Sequence, residues 1–482
     1  MAEGAGDAPV RGPERPDGRG DGQGAGALSA FDLGCVVVGG IVGVGIFFTP
    51  GTVARRVDSG GEVMAVWAIG GALAAIGALV FAELSGRVPG HGGIFRYLHA
   101  AFGRLPAFLF GWANWLVIQA GALSVVALVC IEHVERAAFG ASVCSPGARV
   151  ALAAIAILGL TGTNLLGLRV GKRVQNALTV VKIAALCLLV VAAGLAAGEP
   201  AAAAPAAVAG DRPGSLPVRL AGALLPVLFA IGGWQQGSFV AGAARRPHRD
   251  VPFGILGGVA VVIAVYVAIN LAYLSLLGFD GASASTAIGA DAARAALGGP
   301  GERVFAAMVA ISAAGIMNTI CMAPPYVLLA MAEQGLFPRA FARRSGAGAP
   351  VWGVLGQGTW AVVLLLLAHV VGSALADGDA AAGAFRTLDF VCDSVVFVDW
   401  TVFTLCGLAL WRLRRRDPAA PFRVPGSGAL ALLFAAGALA VAIGAIASRP
   451  VPSAAGAGIV AIGALAYWLF RHRRSGYKGG AP

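Results

Sequence analysis

The residues of this sequence that could do chemistry are two glycine clusters and a few charges set in otherwise apolar runs. One cluster is Gly39-Gly40-Ile41-Val42-Gly43-Val44-Gly45-Ile46-Phe47, the other Phe229-Ala230-Ile231-Gly232-Gly233-Trp234. Glycine destabilises a helix by about 1 kcal/mol relative to alanine, so such clusters in mid-run predict broken helices. A break frees N–H groups at the start of the second half, which with the helix dipole favour an anion. The first half ends in free carbonyls, which favour a cation. A zwitterion needs both. The N–H groups around Gly43–Ile46 are therefore expected to hold a carboxylate, and the carbonyls around Phe229–Gly232 an ammonium. Close packing of helices over small residues competes with this reading for a single cluster. Two clusters in matching places favour a binding site.

Charges singled out within the apolar runs or at their ends are Lys182, Glu83, Asp393 and Asp399. An ionisable residue within a membrane span is costly and usually serves a purpose. Lys182 is read either as a proton carrier or as a structural cation pinning the first, fifth and eighth spans together. Asp399 is read either as a selector for a substrate with an extra positive charge, as a proton site, or as a carboxylic acid kept neutral in the bundle. Catalysis finds no footing. No HExxH motif, nucleophile elbow or histidine cluster occurs, and Cys35, Cys130, Cys144, Cys187, Cys321, Cys392 and Cys406 show no metal-ligand spacing. No enzyme activity, cofactor or metal is expected.

The elements that must carry these residues are membrane spans. The chain has 482 residues, 58% of them apolar and 12% charged, with a mean hydropathy of +0.81. A soluble protein carries about a quarter of its residues as charges. Apolar runs predict an all-α polytopic membrane protein of about twelve helices, at 30–54, 62–86, 104–132, 148–167, 174–197, 217–243, 252–277, 303–332, 351–371, 386–411, 428–448 and 454–471. With the N-terminus cytoplasmic, the inner segments hold 24 Lys and Arg and the outer loops 10; Lys182, inside a span, completes the 35. That bias places both termini in the cytoplasm. It also gives the net charge of +11 an explanation other than nucleic acid, which is excluded as a partner in favour of the lipid bilayer. The expected organisation is a disordered tail (1–27), a first five-helix repeat (28–198), an extracellular Ala/Pro-rich loop (199–215), a second repeat (216–415), two further helices (426–472) and a C-terminal tail (473–482). The glycine clusters then stand in the first span of each repeat, the pattern of inverted-repeat transporters.

Six segments carry a resemblance. They are 39–55, 81–116, 164–186, 229–242, 330–338 and 421–425, beginning with GGIVGVGIFFTPGTVAR and ending with PFRVP. Together they resemble the amino acid–polyamine–organocation superfamily of permeases, with the L-type amino acid transporters and their prokaryotic relatives nearest. The resemblance implies a LeuT-like core of two inverted five-helix repeats, with spans 1 and 6 broken and two peripheral helices. It implies secondary transport of an amino acid or related amine across the cell membrane by alternating access, sodium-independent and either proton-linked or by exchange. Substrate contacts carry over to Gly43, Val44, Gly45, Ile46, Phe229, Ala230, Ile231, Gly232, Asn318 and Asp399, with Phe229 closing over the substrate and Glu83 in a structural or gating role. Gln235 joins them as a residue that could bond the substrate or face the water path. In the family, the lysine matching Lys182 occupies the place of sodium in sodium-coupled relatives, hence its assignment to coupling.

Four positions depart from the pattern. Val44 replaces a frequent serine, Ile231 an aromatic, Ala243 an acid and Tyr326 an arginine. The first two bear on substrate preference, the last two on the usual cytoplasmic-side gating contacts. Those departures keep a second function open, an amino-acid sensor on a permease fold that does not transport. Eukaryotic relatives use a cysteine in the loop that holds Cys144 to link a single-span glycoprotein; prokaryotic relatives lack that partner, and no accessory subunit is expected here.

Overall fold

The computed structural model describes residues 26–196, 215–375, 380–418, 420, 422–426 and 428–475. The expected N-terminal tail up to residue 25, the Ala/Pro-rich loop from 199 up to residue 214, the C-terminal tail from residue 476 and the side chains of Cys392 and Asp393 lie outside the described residues.

Among the described residues, eleven helices are long and apolar enough to cross a membrane, and a bent pair of helices ahead of them makes a twelfth span. The first, α1, is a pair of helices, Ala30–Ile41 (α1a) and Gly45–Ala54 (α1b), bent by 48°. The others are α2 (Gly60–Arg87), α3 (Arg104–Phe139), α4 (Pro146–Leu165), α5 (Leu168–Ala196), α6 (Leu216–Phe239), α7 (Pro247–Ala284), α8 (Gly301–Glu333), α9 (Val351–Ala374), α10 (Val396–Arg416), α11 (Ala429–Ser448) and α12 (Pro450–Leu469). Each is long enough to cross a bilayer core, and the chain is an all-α, multi-pass membrane protein. The order matches the spans expected from hydropathy. No strand occurs among the described residues, only an isolated bridge between Leu28 and Ala244.

The irregularities have local causes. Ser29 caps α1a in a reciprocal box with Asp32, which satisfies two of the N–H groups that a helix start leaves without partners. In α6 the α-helix ends at Ile231 and resumes at Gln236. Within α3, Asn114–Gln119 is wound as a π-helix, a bulge that rotates the second part of the span relative to the first. Pro324 and Pro325 interrupt α8 after Met322, because proline lacks the N–H and clashes with the preceding turn. Neither of these last two was expected from hydropathy, which is blind to helix winding.

The apolar windows of α8 and α3 are 72% and 61% buried, that of α12 only 22%. The first two therefore stand at the centre of the bundle and α12 at its edge. α1a packs on α7, and α6 on α2; α3 packs on α8, and α4 on α9. A short helix also succeeds the second span of each half, Ile94–Phe102 after α2 and Ile288–Leu297 after α7.

Candidate functional site

The two breaks meet at the centre of the bundle. Gly233 sits at φ 127°, a conformation that favours glycine. A Cβ there would lie 2.4 Å from the Gly40 carbonyl oxygen, so the backbones of α1 and α6 touch where a side chain has no room. The same holds at Gly45, whose Cβ would stand 3.1 Å from that of Ala230. The Tyr266 hydroxyl of α7 ties both breaks together, donating to Ile41 O at 3.1 Å and to Ala230 O at 3.2 Å.

Beside this junction lies a cavity of ≈ 220 Å³. That is below the roughly 300–1,000 Å³ of pockets for drug-sized ligands, and it suits a small metabolite. The expected residues Gly43, Val44, Gly45, Phe229, Ala230, Gly232, Gln235 and Asp399 all line it. Among the described residues, the N–H groups of Gly43, Val44, Gly45 and Ile46 donate to no protein acceptor; Phe47 N is the first to find one, Val44 O. The start of α1b thus offers a row of free donors to the cavity region. On the facing side, Phe229 O and Leu228 O are engaged by Gly232 N and Ala230 O by Tyr266, so the carbonyl end of the α6 break is partly occupied by the protein itself. Phe229, on the same helix, is 64% exposed.

Three expected contacts are placed elsewhere. Ile46 and Ile231 are buried in the apolar core beside the cavity and do not line it. Asn318 is fully buried in a polar knot: it donates to Gln175 Oε1 at 2.9 Å and to Gly171 O, and accepts from Asn164 Nδ2 at 3.0 Å. That arrangement joins α4, α5 and α8. Conversely, Gln119, Gln236, Thr319, Ile316 and Trp400 line the cavity without having been singled out. Gln119 and Gln236 had a legible signal, a polar side chain in an apolar run; the facing of Ile316 and Trp400 had none, since α8 and α10 are apolar on more than one side.

Lys182 lies behind the α1 break. Its ammonium donates to Val42 O at 2.7 Å and to Gly39 O at 3.4 Å, and it is 2% exposed. Ser312 Oγ of α8 reaches the same Val42 carbonyl at 3.0 Å. A Cβ at Gly315 would meet the ammonium at 2.8 Å, so α8 clears space for it. A cation thus links α5 to the carbonyl end of α1a, supported from α8.

The opposite end is tied by polar contacts. Lys172 pairs with Asp32 at 2.9 Å, Leu28 N donates to Ala243 O, and Arg245 N to Leu28 O. Glu83 is fully buried, bound by Arg414, by Arg87 at 2.8 Å and by Val424 N at 2.8 Å. It fastens α2 to α10 and to the segment after it. At the departure position, Tyr326 stacks on His91 with ring centroids 4.6 Å apart and donates to Gly348 O. Among the described residues no cluster of three or more potential metal ligands occurs.

Residues 28–466 match the family described as amino acid permease. The chain is 28% identical over 398 residues to the b(0,+)-type amino acid transporter 1 of Mus musculus, covering 81% of this chain and 77% of the relative. It is 30% identical to the large neutral amino acids transporter small subunit 2 of Rattus norvegicus, over 69% of this chain and 64% of the relative. It is 27% identical to the serine/threonine exchanger SteT of Bacillus subtilis, over 65% and 69%.

Proposed function

Because the chain belongs to the amino acid permease family, we propose that it is a secondary transporter moving amino acids across the plasma membrane by alternating access. The observation that carries this reading is the row of unpartnered N–H groups from Gly43 to Ile46 beside a small cavity between two broken helices. Such a row holds a carboxylate without a side-chain charge, and the protein needs none for the common part of every amino acid. Gly43, Val44 and Gly45 supply the anion end; Phe229, Ala230 and Gly232 border the ammonium end, with Phe229 as the gate. Names of relatives support the substrate: each is an amino acid transporter or exchanger.

The paired neighbours, α1a with α7 and α6 with α2, support a LeuT-like arrangement of two inverted repeats (28–198 and 216–415). So do the short helices that succeed α2 and α7. Contacts on the face carrying Leu28, together with the exposed Phe229 on the other, fit a conformation open toward the side opposite the termini, with the termini cytoplasmic. Lys182 supplies a resident cation at the carbonyl end of α1a. Transport is therefore sodium-independent.

The test is uptake of labelled amino acids into proteoliposomes, empty or preloaded, with sodium replaced by choline. Saturable uptake that ignores the replacement is expected. Uptake that needs sodium would remove the role given to Lys182. Saturable binding with neither uptake nor exchange would identify a sensor instead.

A further inference from the structure

We propose that the cavity selects amino acids carrying a second positive charge, and that the Asp399 carboxylate receives it. This rests on the transport reading above and names its substrate class. Among the described residues, Asp399 is the only ionisable one lining the cavity, and no hydrogen bond or ion pair reaches its carboxylate. The ion pairs found there are made by other groups. Lys182, which also lies beside the α1 break, does not line the cavity and spends its ammonium on Val42 and Gly39.

A second observation points the same way. Gln235 and Gln236 line the cavity and are 8% and 6% exposed, yet the Oε1 oxygen of each accepts nothing. Gln236 Nε2 is already committed to Gln119 Oε1 at 3.2 Å, and Gln119 in turn donates to Asn114 at 3.1 Å, so the chain of amides ends in a free acceptor. Unsatisfied buried acceptors are rare in finished structures. Together with a bare carboxylate they make a site short of donors. An ammonium or guanidinium brings donors and charge, and nothing else on a substrate brings both. Phe229, Trp400 and Phe403 complete the lining with aromatic side chains, a residue type that suits a cation.

Charge balance gives the selectivity. A zwitterion's carboxylate goes to the Gly43–Ile46 amides and its α-ammonium to carbonyls, leaving Asp399 uncompensated in a water-poor place, which is costly. A lysine-like substrate pairs it. The cavity therefore prefers lysine to norleucine, the same skeleton without the terminal ammonium.

Equilibrium binding of lysine, norleucine and cadaverine to the purified full chain tests this. Lysine is expected to bind at least about tenfold more tightly than norleucine, the effect of about 1.4 kcal/mol, and cadaverine, which lacks the carboxylate, more weakly than lysine. Asp399→Asn should lower the lysine-to-norleucine affinity ratio tenfold, and Asp399→Glu should keep it. If Asp399→Asn does not fold, the wild-type ratio alone decides. Norleucine equal to or tighter than lysine overturns the inference while the amino-acid reading stands, as does an Asp399→Asn ratio equal to that of wild type. Cadaverine equal to lysine overturns the carboxylate site at α1b. Binding of none of the three overturns both.

Discussion

The contact between the two breaks makes a sharp prediction about adjacent glycines. Gly232→Ala and Gly233→Ala add the same methyl group to neighbouring residues in the same break. At Gly232, φ is −59° and the new Cβ would stand 3.4 Å from the Leu228 and Phe229 carbonyl oxygens, an ordinary contact in an ordinary conformation. At Gly233, φ is 127°, and the Cβ would lie 2.4, 2.7 and 3.0 Å from Gly40 O, Gly40 C and Ile41 N. Holding a side chain in a sparsely populated conformation costs about 1–3 kcal/mol. Overlap with backbone that cannot swing aside adds about 1–3 kcal/mol. The protein can relieve part of this by parting α1 from α6, and the ligand must then close the gap again. If about 2 kcal/mol of the strain is charged to binding, affinity falls roughly 30-fold. The assay is thermal stability in detergent with and without a saturating amino acid, alongside equilibrium binding. Gly233→Ala should lose both stability and affinity, and Gly232→Ala should stay within about threefold of wild type, a difference under 1 kcal/mol. Equal behaviour of the two variants, or the reverse order, refutes the claim that the breaks are held together through Gly233 and Gly40.

Three further outcomes are expected from other contacts. Lys182→Met removes the donor that holds Val42 O at 2.7 Å; a charge-assisted bond of about 1.5–3 kcal/mol makes amino-acid affinity fall tenfold or more, and unchanged affinity by equilibrium binding would count against the pinning of α1a. Glu83→Ala leaves the Arg87 and Arg414 guanidiniums, both largely buried, without their carboxylate. Unmasking buried charges costs about 3–5 kcal/mol, so the melting temperature in detergent should drop well below that of Glu83→Gln, which keeps an acceptor. Cys144, in the loop between α3 and α4, is held above the usual thiol range, chiefly by its hydrogen bond to the Glu135 carboxylate. Its thiolate is scarce at neutral pH and increases as pH rises; Glu135→Gln should therefore speed maleimide labelling at pH 7, and an impermeant maleimide should reach Cys144 only from the side opposite the termini.

What the sequence made legible was set by signals that survive averaging along a helix. Spans are legible because a bilayer demands about twenty apolar residues in a row, and the breaks because glycine clusters interrupt two of them. Lys182 was legible as a charge out of place. The spans it joins were read as well, but not the atoms: Val42 and Gly39 contribute backbone carbonyls, which every residue has, and only the fold says which of them turn inward. The same limit hid the lining of the cavity from α3 and α8. The π-wound turn Asn114–Gln119 shifts the helical phase, so a 3.6-residue wheel drawn through α3 points the wrong residues at the cavity. Asn318 shows the converse. A polar residue one position from the cavity-lining Thr319 reads as a contact, but a helix turns by about 100° per residue, and Asn318 spends its hydrogen bonds on Asn164 and Gln175.

The two departures at Ala243 and Tyr326 acquire a common physical sense through His91. Gly242, beside Ala243, approaches so closely that a Cβ there would stand 2.7 Å from the His91 ring, and Tyr326 stacks on the same ring. Burial, then the charges of Arg344 and Arg96, hold His91 down to about 3, so the imidazole is neutral across the physiological range. An arginine at 326 would put a fixed cation against that ring, and Ala243 offers no acid to answer it. Losing the acid and the base together leaves a neutral contact with no buried charge to compensate. An ion pair opens by solvating both partners and a stack of rings by exposing apolar surface, so the His91–Tyr326 stack and the Leu28 backbone bridge should respond less to salt than the Lys172–Asp32 pair on the same face.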